Sequence, residues 1–248
     1  MAVCRLSRLP TWRRALAPLA ALLLSAARSA AGDGDDDLAV MRARIVAQAV
    51  VQPQFVAVYD AEVAACVALL AADGSFVDID YAFQQAAIWP AYNHSKRVEW
   101  MASAFVTPGS RFFNDSALEA TALRALDWWL LHGPESKQSN WWWWTIGIPI
   151  TLGKTVTILR EALLPNQTAA AAAQLANAKT AGQVAANLVW TCEGTIYRGL
   201  LVGNETLVAQ ALNLSFATIA YAPGLAEGIK ADASFFEHSN QLYSGGYG

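Results

Sequence analysis

Charge is scarce in this chain: Asp, Glu, Lys and Arg make up 15% of 248 residues. With 17 basic residues against 20 acidic ones and a formal charge of −3, the basic footprint that nucleic acid requires is missing. A site for an acidic ligand needs only local positive charge, so the total leaves that class open. Cysteine is equally sparse, at Cys4, Cys66 and Cys192. One pair left after the N-terminal segment is no disulfide scaffold, and a bridge or two buried thiols are both compatible with it. The apolar stretch Ala15 to Ala27 contains Pro18 and falls short of the roughly 20 residues of a bilayer span, so stable membrane insertion is not expected. No alternating β pattern runs along the chain, and no motif repeats with a period of about 20–50 residues, which disfavours TPR or ankyrin arrays.

Hydrophobic residues make up 55% of the chain, much of it alanine, which excludes disorder as the default and favours close-packed helices. The length suits one large domain or two small ones. Arg5, Arg8, Arg13 and Arg14 precede the short apolar stretch, and the small residues Ser29 and Ala31 follow it. That order predicts a secretory signal peptide over residues 1–31 and an extracellular mature chain over 32–248. Five N-x-S/T sequons, at Asn93, Asn114, Asn166, Asn204 and Asn213, agree with a secretory route and a glycoprotein.

The periodicity predicts about eight helices joined by short turns. Leu38–Val51 and Phe55–Ala72 come first, the second stopping at Asp73-Gly74. A long loop, Ser75–Pro90, leads to His94–Val106. Asn114-Asp115-Ser116 supplies N-cap chemistry for a helix to His132. Further helices span Pro149–Leu164, Thr168–Lys179, Gln183–Val202 with Gly203 as C-cap, and Asn204–Tyr221. Beyond Ala226 the helical period disappears. The expected fold class is all-α, built from antiparallel helical hairpins.

Three stretches stand apart from packing. In Asn140-Trp141-Trp142-Trp143-Trp144, successive helical side chains point about 100° apart, so the four indoles cannot share one core. Exposed indoles beside Asn140 suit stacking on the apolar faces of sugars, while burial of two and a rim position for two is the bland alternative. Asn187 lies at a helix start among small residues, where an N-cap would explain it. The segment Ala231–Gly248 carries His238, Tyr243 and Tyr247 among Gly245, Gly246 and Gly248, a setting suited to acid–base work.

Taken together, His94-Ser95-Lys96-Arg97 through Met101-Ala102, Asn140-Trp141-Trp142 with Ile146-Gly147-Ile148-Pro149, Asn187, Asp232-Ala233-Ser234-Phe235 to His238, and Tyr247-Gly248 resemble polysaccharide lyase family 8. That family includes hyaluronate, chondroitin AC and xanthan lyases. The resemblance covers roughly residue 40 to the end. It implies an incomplete (α/α) toroid and β-elimination on polysaccharides containing uronic acid. It also implies roles: Asn187 for the uronate carboxylate, His238 beside the departing proton, Tyr247 as base or proton relay, and Trp141 and Trp142 as the sugar-stacking patch with Asn140 beside them. Tyr243 falls where the family varies and receives no role.

The chemistry gives these types a reason to occur together. The proton on C5, α to a carboxylate, becomes acidic only if hydrogen bonds offset the carboxylate charge as the aci form develops. A tyrosine with a reference pKa of about 10 then needs nearby positive charge to act as base. The family's arginine, its glutamate and its C-terminal β-sandwich domains fall beyond Gly248, so the resemblance implies little turnover by these 248 residues alone. The expected partner is an acidic polysaccharide, met by a monomer without cofactor or metal. A carbohydrate-binding helical module without turnover is the competing expectation. A hydrolase ranks last, since it needs paired carboxylates and only Asp232 and Glu237 lie close to the motifs.

Overall fold

The computed structural model describes residues 33–83, 88–133, 140–237 and 241–242. The signal-peptide expectation for residues 1–31 lies outside them. Among the described residues are eight α-helices: α1 (Asp33–Ala49), α2 (Val56–Ala68), α3 (Tyr92–Val106), α4 (Ser116–His132), α5 (Ile148–Ile158), α6 (Pro165–Leu175), α7 (Ala185–Val202) and α8 (Glu205–Ala217). None is long and apolar enough to cross a membrane.

The helix ends follow the local chemistry. Asp115 accepts a hydrogen bond from the Ala117 N–H and caps α4, and Asn204 does the same for α8 through Leu207 N–H. Gly203, at φ +68°, closes α7 in the left-handed conformation. Where the pattern predicted one helix to Leu164, α5 stops at Ile158 and a 3₁₀ turn covers Arg160–Ala162. Pro165 holds Leu164 in extended backbone (ψ 157°) and itself opens α6, which keeps Leu164 out of either helix.

Consecutive helices pair as antiparallel hairpins, α3 with α4, α5 with α6, and α7 with α8. The first members lie side by side and run the same way. Near their N-terminal ends Tyr92 of α3 meets Trp143, with ring centroids 4.9 Å apart. Further along, Ser95 Oγ bonds Thr151 Oγ1, and Glu99 faces Lys154. The α5–α7 contact is closer still, because Gly153 lies against the Tyr197 ring and Gly194 against Pro149. The second members form an outer layer, in which Gln167 and Gln174 of α6 donate to Asp127 and to the Leu130 carbonyl of α4. On the opposite side α1 packs across α3, α5 and α7, which are thus covered on both faces.

The described residues of the stretch 75–90 form a loop, as expected, yet they belong to the core: Phe76, Ile79 and Trp89 are buried. Asp78 makes a bidentate pair with Arg97 at 2.6 Å for each bond, which pins the loop to α3. The tail departs from an all-helical description. Gly228–Ile229 (β1), Phe235–Glu237 (β2) and Gln241–Leu242 (β3) form a small antiparallel sheet in that order. Two- and three-residue strands are too short for an alternating pattern to register in the sequence. Cys66 and Cys192 are unbridged and buried, and burial pushes both thiols up from their ordinary pKa.

Candidate functional site

The N-terminal ends of α3, α5 and α7 face one rim of the helical layer, and the aromatic run is built there. Asn140 Oδ1 accepts the Trp142 N–H at 3.0 Å and so opens the helical segment. The chain then makes one π-helical turn, Trp143–Gly147, before α5. That wider turn redistributes the indoles. Trp144 is buried at 7% exposure, stacked on Trp129 and against Trp89. Trp143 packs edgewise on Trp142 and tilts against Tyr92. Trp141 stands out at 49% exposure. One indole is therefore buried, one is largely in solvent, and two sit between.

Gly147 makes this arrangement possible. A Cβ there would come within 2.9 Å of the Trp142 ring and 3.2 Å of the Tyr92 ring. Trp142 also meets Trp190 edge-on, with centroids 6.4 Å apart. Trp190 lies one helical turn after Asn187, on the same face of α7. The structure thus brings Asn187 to the end of the layer where the tryptophans lie. Asn187 belongs to the first turn of α7, and its own carbonyl accepts the Thr191 hydroxyl at 2.9 Å. The N-cap position is Val184, so Asn187 is not the cap that its local sequence suggested.

Trp190, Trp143 and Tyr92 are the rim residues that sequence reasoning left without a role. The three-residue spacing from Asn187 to Trp190 was the available signal. His238 and Tyr247 lie outside the described residues. The segment before them is visible: Asp232 Oδ1 accepts from the Ser234 amide and hydroxyl, which holds its carboxyl below the usual range. Ala233 has φ +64°, and β2 ends at Glu237, next in sequence to His238.

The other motif histidine has a structural task. His94 is fully buried, its Nε2 donates to the Ala125 carbonyl at 2.8 Å, and its Nδ1 meets the Tyr81 hydroxyl at 2.9 Å. Tyr81 in turn accepts the Phe76 N–H. This places the imidazole in its neutral form with the proton on Nε2. Burial depresses its pKa to about 4, which keeps it neutral. No group of three or more metal-ligating side chains occurs among the described residues.

Comparison with known proteins bears on this architecture. Residues 54–248 match the polysaccharide lyase family 8, N terminal alpha-helical domain. A xanthan lyase of Bacillus sp. (strain GL1) is 29% identical over 215 residues, 76% of this chain and 22% of that protein. Chondroitinase-AC of Pedobacter heparinus is 25% identical over 71% of this chain and 25% of its own length. Among solved structures, a chondroitin AC lyase of Streptomyces coelicolor A3 superposes with a TM-score of 0.74 at 24% identity, covering 85% of this chain and 31% of that one. The chain spans about a quarter of the length of the curated relatives it matches. On the match over residues 54–248, this chain belongs to polysaccharide lyase family 8.

Proposed function

We propose that this chain is the helical portion of an eliminative lyase that binds acidic polysaccharide at the rim carrying Trp141, Trp142, Trp190 and Asn187. The observation that supports the reading is the Trp142–Trp190 contact, which joins the indole run to the face of α7 that carries Asn187. Helix starts carry partial positive charge, and α3, α5 and α7 all present theirs to that end. In an acidic chain this supplies a local field for a uronate. Trp141 and Trp142 would stack on sugar rings, and the Asn187 amide would donate to the carboxylate. Asn140, already engaged with Trp142 N–H, would orient the run.

The chemical step follows from the residue types. Hydrogen bonds from Asn187 and His238 offset the carboxylate charge, and Tyr247 removes the C5 proton. The C5–H electrons form the C4–C5 double bond, the bond from C4 to the bridging oxygen breaks, and that oxygen takes up a proton. The products are an unsaturated uronate end and a new hydroxyl. The polysaccharide reaches such a site outside the cell, in keeping with the signal-peptide reading of residues 1–31.

Fluorescence titration of the full chain with a chondroitin-derived hexasaccharide tests the reading. Trp141→Ala and Trp142→Ala should each cost about 1 kcal/mol of binding, roughly fivefold in Kd. Unchanged affinity in both variants would return the indoles to packing. Near-ultraviolet absorbance of the same mixtures separates the chemistries, since only elimination creates the conjugated uronate. Such absorbance should be weak at neutral pH and should vanish in Tyr247→Phe, and strong absorbance that survives this change would overturn the role given to Tyr247.

A further inference from the structure

A second cleft lies away from the aromatic rim, further along the helical layer, where α1 crosses α3, α5 and α7. Its volume is about 320 Å³, and it is lined by Gln48, Tyr59, Glu99, Trp100, Lys154 and Tyr197 among others. Pockets for small organic ligands span roughly 300–1,000 Å³, so this one suits a single ring and not a polymer segment. The lining comes from five helices, α1, α2, α3, α5 and α7, which makes it a product of the fold rather than of one loop.

Its polar groups are incompletely engaged. The Glu99 carboxylate is largely buried, with 15% side-chain exposure, and Lys154 Nζ stands 3.8 Å away, longer than a hydrogen bond. Burial raises the Glu99 pKa, while Lys154 and then Lys96 act in the opposite direction. The cleft lining carries one carboxylate, Glu99, and one ammonium, Lys154. An anion would meet Glu99, and a cation would meet Lys154. A ligand that donates to one and accepts from the other satisfies both without adding net charge. Trp100, Tyr59 and Tyr197 supply aromatic surface beside this donor–acceptor pair, as the apolar face of a polyhydroxylated ring requires.

We propose that the cleft between α1 and helices α3, α5 and α7 is a binding site for an uncharged pyranose, with Glu99 accepting from its hydroxyls and Lys154 donating to them. The site is independent of the uronate reading of the rim, and its preference is opposite: neutral ligand here, anionic ligand there. Occupancy would brace α1 against the layer that carries Asn187.

The test is saturation-transfer NMR and calorimetric titration of the full chain with methyl β-D-glucopyranoside, with sodium glucuronate as the charged counterpart. Saturable binding of the neutral glycoside is expected, with at least tenfold weaker binding of glucuronate. Glu99→Gln and Lys154→Met, on different helices, should each weaken the glycoside by about tenfold, the loss typical of a hydrogen bond to a charged group. Circular dichroism verifies that each variant is folded, and Lys154, the more exposed partner, provides the measurement should Glu99→Gln unfold. Absence of saturable glycoside binding overturns the proposal. So does equal affinity for glucuronate, or unchanged affinity in folded Lys154→Met.

Discussion

Replacement of Gly153 by alanine isolates the contact that sets the distance between α5 and α7. In an exposed helix this change would be favourable by about 1 kcal/mol, because glycine is a poor helix former. Here the new Cβ would stand 2.3 Å from Tyr197 Cγ and Cδ2 and 2.5 Å from its Cβ. The clash reaches the base of the side chain, so a change of ring rotamer does not relieve it. The ring is also held at its far end, where the hydroxyl donates to Glu193 Oε1 at 3.0 Å. The helices must therefore separate. Overpacking of this kind costs about 1–3 kcal/mol, and contact with the base of a buried ring belongs at the upper end. Subtracting the helix-propensity gain leaves a net loss of about 2 kcal/mol, which for a chain of this size lowers Tm by roughly 4–8 °C. Thermal melts followed by far-ultraviolet circular dichroism measure it. Near-ultraviolet dichroism should change as well, since Trp142 on one side of the seam meets Trp190 on the other. The double variant Gly153→Ala with Tyr197→Leu should show a coupling of more than about 0.5 kcal/mol relative to the sum of the single changes. A Tm for Gly153→Ala equal to or above that of the parent chain would refute the reasoning.

Three further outcomes follow from the packing described. His94, with a folded pKa of about 4 against a reference of 6.5, is protonated more readily when unfolded. Its contribution is therefore complete above about pH 6.5 and is lost as pH falls toward 4, by up to about 3 kcal/mol. Urea titrations across that window should fall less steeply for His94→Gln than for the parent. Asp60, buried and accepting from Ser110 Oγ at 2.6 Å and Arg111 N–H at 2.9 Å, anchors the turn before α4. Its alanine variant should lose about 3 kcal/mol in chemical denaturation, and Asp60→Asn distinctly less. Trp144→Ala should destabilise by about 3–5 kcal/mol, whereas Trp141→Ala should change Tm little, because only the first indole is in the core.

The hairpin order was legible because alanine-rich helices broken by Gly203-Asn204, Leu164-Pro165 and Asn114-Asp115 announce their own ends. The interior of 75–90 was not, since Phe76, Ile79 and Trp89 have no shared period and are buried only by tertiary contact. The fate of the four tryptophans was legible in principle, from angular spacing. Which one is buried depended on a π turn that no propensity signals. Asn187 reached the same end as the tryptophans, but the reason lies in the parallel course of α5 and α7, a tertiary fact. The cleft at Glu99 and Lys154 joins residues from five helices and has no linear signature.

The crossing of α1 over the other helices also has a kinetic meaning. Each hairpin is stabilised by neighbours close in sequence, and such contacts form early at little cost in loop closure. The strap formed by α1 is of another kind: Arg42 Nη1 donates to the Leu200 carbonyl across 158 positions, and Leu38 packs with Leu200 and Val208. Those partners do not exist as a surface until α7 and α8 have docked. A helix that precedes its partners in the chain is thus among the last to find its place. It is correspondingly among the first to detach, and its amides should exchange with solvent ahead of those in α3 and α5.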